Sequence, residues 1–266
     1  MSARPVVLAC AAHPDDIEFL MAGTVLRLRD VGAEIHLWNL ADGACGTATL
    51  DRAAITAIRW REAQDAAALI GARLHPPIGT DLGLLHDAPH LARAVAIVRA
   101  VRPTIVLVQS PQDYMEDHQN ACRLVVTAAF ARAMRNASAD PPTAPYDADV
   151  AVYHALPHGL RDGLRRRVRA CQYVDVAPQL ATKRAMLACH RSQKEWLDIS
   201  QGMDAYLDAM DAFAREIGRA SGRFAAAEGW RRHNHLGFGP ADLDPLRALL
   251  GDACWTDPAA EADLDR

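Results

Sequence analysis

Short apolar, β-branched runs alternate with alanine-rich helical segments along most of this chain, and no other feature restricts its fold as much. "PVVLACAA" (5–12), "EIHLWNLAD" (34–42), "TIVLVQSP" (104–111), "ADVAVYHA" (148–155) and "CQYVDVA" (171–177) read as strands. Residues 20–32, 50–72, 91–103, 118–134 and 178–193 carry helical patterning. Gly32 and Gly71 close the first two of these helices, and a proline opens the last. Strands that are apolar along their whole length are buried on both faces. Together with the alternation, this predicts an α/β fold whose largely parallel sheet is covered by helices on both faces. The expected organisation is a single domain over 1–250 and an acidic, loosely held tail over 251–266. The Pro-, Ser- and Asp-rich stretch 136–149 reads as a plain connection.

Bulk properties exclude several function classes. The 29 basic and 33 acidic residues leave a net charge of −4, which calls for neither nucleic acid nor an anionic membrane as partner. About eight apolar residues precede strong charge at the N-terminus, too few for a signal segment or a membrane span. Six cysteines are scattered without a CxxC pair, the usage of reduced, cytoplasmic thiols. Oligomeric state is not readable, and a homo-oligomer is compatible with everything above.

The chemistry concentrates where the first strand ends. "VVLACAAHPDDIEF" runs an apolar strand straight into His13, Pro14, Asp15 and Asp16. In open α/β sheets ligands bind beyond the carboxyl ends of the strands. Three titratable groups gathered there are costly without a compensating cation, and imidazole with carboxylate suits zinc. A catalytic site needs about three protein ligands and an open position, so a third ligand is expected at another strand end. His118, which opens a helix after the strand at 104–111 and follows Asp113, Glu116 and Asp117, is the choice. Both segments also suit plain helix starts, since Asp is a good cap and acids favour the first turn.

"AAHPDDIEFLMAGTVLRL" closely resembles the signature of the PIG-L/LmbE-like family of zinc-dependent N-acetylglucosaminyl deacetylases. "LADGACGT" (40–47), the Arg-x-x-Glu of 58–72, "DYMEDHQNACRL" (113–124), "KRAMLACHRSQ" (183–193) and "AAAEGWRRHNHLGF" (225–238) fit the same family in order. The resemblance implies a Rossmann-like fold and removal of an N-acetyl group from an amino sugar or its conjugate. It makes His13, Asp16 and His118 the ligands of Zn2+, with Fe2+ or another divalent ion as the alternative, and Asp15 the general base. It assigns Arg59 and Asp81 to the sugar hydroxyls, with Gly43 and Gly46 admitting the ligand. Asp117 is expected to orient a ligand imidazole.

One departure matters. Met115 stands where many members carry a histidine, and a thioether donates no strong hydrogen bond. Tyr114, His154, His158 and His190 are candidates to replace that group, with His190 preferred as a catalytic residue. "RRHNH" (231–235) is a candidate for the site entrance. The rival activity is hydration of an unsaturated carboxylic acid on the same scaffold, for which "RDGLRRR" (161–167) would supply the carboxylate-binding cluster. A nucleotide-binding module is disfavoured, because the first strand ends in HPDDIEF and not in G-x-G-x-x-G.

Overall fold

A computed structural model describes residues 4–193 and 205–265. Its strands are β1 (Val6–Ala11), β2 (Glu34–Asn39), β3 (Arg73–His75), β4 (Ile105–Val108), β5 (Ala151–Ala155), β6 (Gln172–Asp175), β7 (Ala227–Arg232) and β8 (Cys254–Thr256). They form one sheet in the order β3-β2-β1-β4-β5-β7-β6-β8. The first five run parallel, and β7, β6 and β8 continue the sheet antiparallel. The helices are α1 (Asp16–Leu20), α2 (Ala22–Asp30), α3 (Arg52–Leu69), α4 (Ala88–Val101), α5 (Glu116–Phe130), α6 (Leu180–Leu187), α7 (Ala205–Ser221), α8 (Pro245–Leu250) and α9 (Pro258–Ala262).

The α/β expectation holds, and β1 shows why. Its side chains alternate between two cores. Val7, Ala9 and Ala11 join residues of α2, α6 and α7. Leu8 and Cys10 join residues of α4 and α5. Chain order reverses between β1 and β4, so their carboxyl ends open a crevice at the switch point of the sheet.

Two expectations change. The helix expected over 20–32 starts earlier, at Asp16, and breaks at Met21, whose φ of −132° is not helical. The segment beyond 250 is not a free tail. Cys254–Thr256 pairs with β6 as the edge strand, and Asp257 caps α9 by accepting from the N–H groups of Ala259 and Ala260. Three apolar or β-branched residues at 254–256 are enough to extend the sheet despite the acidic residues around them. The 136–149 connection is fastened by two buried arginines. Arg99 donates to the carbonyls of Met134 and Thr143, and Arg132 to those of Ala148 and Gly237.

The start of α2 depends on a partner from the far side of the sequence. Met21 offers no capping side chain. Glu228 of β7 accepts instead from Gly23 N at 2.8 Å and Thr24 N at 2.7 Å, and pairs with the buried ammonium of Lys183. A Cβ at Gly23 would lie 2.5 Å from Val176, so only glycine permits this approach. Removing the carboxylate leaves Lys183 buried without a counter-charge. Glu228→Ala is expected to lower stability by about 3–5 kcal/mol in equilibrium urea unfolding, with a smaller loss when Lys183→Met is added.

Candidate metal centre

The loop after β1 and the start of α5 bring the expected ligands together. Asp16 Oδ2 accepts from the backbone N–H of His13 at 2.8 Å. The same oxygen lies 3.4 Å from His13 Nδ1 and 3.4 Å from His118 Nε2. One ligand atom from each of the three residues lies within 4.8 Å of the other two. Ligands about 2.0–2.2 Å from a tetrahedral ion stand roughly 3.3–3.6 Å apart, so both carboxylate–imidazole distances suit a shared ion. His118 Nε2 is buried and has no hydrogen-bond partner, which leaves its lone pair for such an ion. The donor set therefore fits a divalent metal.

Each imidazole is oriented from behind. Asp117 Oδ2 lies 3.1 Å from His13 Nε2, so Asp117 holds the other histidine and not its neighbour in sequence. Asp113 Oδ1 lies 3.1 Å from His118 Nδ1. Sequence reasoning grouped Asp113 only with the acids before His118; the turn that carries it to the far ring nitrogen is a tertiary feature. Asp117 Oδ2 also accepts from Leu82 N at 2.7 Å, which ties the loop after β3 to the centre.

This packing sets the charge states. Burial alone would lower the His13 imidazole, but Asp117 and Asp16 outweigh it and raise it to about 10. His118 is raised in the same sense, with Asp16 and Asp113 overcoming burial. Asp16 is buried too, yet the two imidazoles hold its carboxyl well below the usual range. Asp15 goes the other way. Burial pushes it up to about 6, against the pull of the Arg59 guanidinium and with the help of Asp16. Its φ of 108° is unusual for a residue with a side chain. That backbone turn separates two adjacent carboxylates, sending Asp16 to the imidazoles and leaving Asp15 beside Arg59.

A cavity of about 420 Å³ opens over these groups, lined by His13, Asp15, Asp16 and His118 together with Arg59 and Asp81. Arg59 is buried and donates to the carbonyls of Pro14 and Gly43, with Nη2 3.5 Å from Asp15 Oδ2. A Cβ at Gly43 or Gly46 would come within 2.9 or 2.6 Å of this guanidinium, so those glycines make room for Arg59. Asp81 accepts from Gly43 N at 2.7 Å and Cys45 N at 2.8 Å, which shapes the loop after β2. Arg59 and Asp81 thus reach the cavity wall while holding its backbone.

Other expectations are relocated. His190 is fully buried, does not line the cavity, and places Nε2 3.4 Å from Glu18 Oε2. Its charge acts on Asp15 from outside the cavity lining. His154 bonds to the Gln109 carbonyl and to His233, away from the cavity. His158 does line it, packed 5.1 Å from the Phe19 ring, and so does Tyr114, 6.0 Å from the ring of His118. Gln193 and Tyr206 line it as well, and the strand–helix pattern gave no sign of either. The 231–235 cluster does not line this cavity. Arg231 borders a separate cavity of about 590 Å³ together with Arg167 of the 161–167 turn.

A mostly parallel sheet with a two-histidine, one-carboxylate centre at its switch point is the arrangement of a metal-binding α/β protein. Residues 8–129 match the family model described as "PIG-L: GlcNAc-PI de-N-acetylase", and this part of the chain is a PIG-L domain. A diacetylchitobiose deacetylase of Thermococcus kodakarensis is 25% identical over 194 residues, covering 70% of this chain and 69% of the relative. The solved structure of an N,N'-diacetylchitobiose deacetylase from Pyrococcus horikoshii superposes with a TM-score of 0.74 at 22% identity, covering 92% of this chain and 89% of that one. GalB, a 4-carboxy-2-hydroxymuconate hydratase of Pseudomonas putida, does so with a TM-score of 0.69 at 23% identity, covering 86% and 95%. These two structures share the fold.

The carboxylate behind His118 gives a direct check on the centre. Asp113→Asn is expected to weaken zinc retention about 10–100-fold in a competition titration against a chromophoric chelator, while the fold melts as before.

Proposed function

We propose that this protein is a zinc-dependent N-deacetylase that hydrolyses the N-acetyl group of an N-acetylglucosamine-type sugar or its conjugate, releasing acetate and a free amine. Fe2+ or another divalent ion would suit the same donors. The observation that carries the proposal is the cluster of His13, Asp16 and His118 within 4.8 Å, opening into a cavity that Asp15 also lines. The deacetylase relative and the Pyrococcus deacetylase structure support it.

His13, Asp16 and His118 would hold the ion, which would supply Lewis acidity to the reaction. Asp15 takes the proton of the attacking water as its oxygen bonds to the amide carbon. The C–N bond then breaks, and the proton passes from Asp15 to the departing nitrogen. Arg59, 3.5 Å from Asp15, holds that carboxylate toward the cavity. His158 is the one imidazole besides the ligands that lines the cavity among the described residues, so it takes the place that Met115 cannot fill, as hydrogen-bond partner of the carbonyl oxygen. A small-molecule amino sugar fits a cavity of this size. Among the described residues no helix is long and apolar enough to cross a membrane.

The hydratase alternative has less support. The 161–167 arginines lie outside the cavity, and Arg59 is committed to two backbone carbonyls. Asp15→Asn is expected to retain bound zinc and lose about 10²–10⁴-fold in acetate release from N-acetylglucosamine conjugates. Asn tolerates the positive φ that Asp15 adopts. His118→Ala is expected to lose zinc and activity together. Full zinc and normal turnover in His118→Ala would refute the ligand assignment.

A further inference from the structure

We infer that the substrate carries an apolar alkyl or aryl group close to the scissile amide, an inference that rests on the deacetylase reading above. A site built only for a polyol presents polar groups free to bond hydroxyls, because discrimination comes from groups that would otherwise go unpaired. Here several polar groups at the wall also bond its own backbone. Arg59 donates to Pro14 and Gly43 carbonyls, Asp81 accepts from two backbone N–H groups, and Gln193 donates to the Gly46 carbonyl at 2.7 Å. Beyond His158, which the reaction uses, Phe19, Leu20, Leu82, Met115 and Ala209 line it with carbon, joined by the rings of Tyr114 and Tyr206.

Leu82 carries the argument furthest. It is 77% exposed, and Tyr114 at the same cavity is 51% exposed. Single exposed apolar residues are ordinary, but two at the rim of an apolar-walled cavity mark a surface that something covers. Leu82 also sits at φ 59°, a left-handed conformation that Asn or Gly adopts more readily. Its backbone N–H bond to Asp117 needs no side chain. A leucine kept there against its backbone preference is explained by what its side chain contacts. The group is placed on the aglycone, because the acyl part removed in that reading is acetyl and carries no further carbon.

The test uses the zinc-loaded full chain and two substrate series: methyl glycosides of glucosamine with N-acetyl, butanoyl, hexanoyl and octanoyl groups, and methyl, butyl, hexyl and octyl N-acetylglucosaminides. Free amine is the readout. Burial of a methylene is worth about fourfold in kcat/KM, so one series is expected to rise at least tenfold from shortest to longest, chiefly through KM. The glycoside series is the one expected to rise, and a rise confined to the N-acyl series would overturn the placement on the aglycone. Leu82→Asn keeps the positive φ and nearly the same shape. It is expected to melt like the parent and to flatten the rise to below about twofold overall. Release of amine from every compound without dependence on length would overturn this inference and leave the deacetylase reading standing. A rise undiminished in Leu82→Asn would overturn the role of that wall. No release from any compound by the zinc-loaded protein would overturn both the deacetylase reading and the inference built on it.

Discussion

One carboxylate oxygen holds the centre together. Asp16 Oδ2 accepts from the His13 backbone and stands 3.4 Å from an imidazole on each side, one from the loop after β1 and one from α5. Those two segments are far apart in sequence and meet only because β1 and β4 are neighbours at the switch point of the sheet. A second tier of acids fixes the far side of each ring: Asp117 behind His13 and Asp113 behind His118. The acids raise both imidazoles, and the imidazoles in turn hold Asp16 low, so these side chains attract one another across the two segments. The same donors are the ones an ion would take, so the fold supplies the geometry in advance.

Around that centre, backbone geometry does as much as side-chain chemistry. The left-handed turn at Asp15 makes two adjacent acids diverge into different environments, one paired with imidazoles and one desolvated beside Arg59. Gly43 and Gly46 are needed because a guanidinium fills the space where their side chains would be. Asp81 then gathers the N–H groups of that loop. Arg59 and Asp81, expected to touch substrate, also bond the backbone of the cavity wall.

Much of this was legible in the sequence, and the failures have physical causes. β1 and β4 were readable because burial on both faces makes them continuously apolar, and β2 and β5 because Ile35, Leu37, Trp38, Val152 and Tyr153 still give them strand character. His13, Asp16 and His118 were readable because the strand ends they follow are where an α/β sheet opens. The antiparallel half was read less well. β7 carries Glu228, Arg231 and Arg232 among its six residues, so no apolar run announces it, and β8 is three residues long. The acidic composition after residue 250 concealed an edge strand for the same reason. The depth of His190 was not legible, because motif position does not report burial: the side chain is fully buried, 3.4 Å from Glu18. Asp113 was overlooked as an orienting group because its relation to His118 depends on a turn, while His158, Gln193 and Tyr206 come from three further segments that only the tertiary structure assembles around the cavity.

The account stands on two separate loops sharing one ion. Anomalous diffraction recorded on both sides of the zinc edge from zinc-soaked crystals addresses this directly. A single strong peak about 2.0–2.2 Å from His13 Nδ1, Asp16 Oδ2 and His118 Nε2 is the predicted result. A map with no peak among those three atoms, or with zinc bound only elsewhere on the molecule, would contradict it.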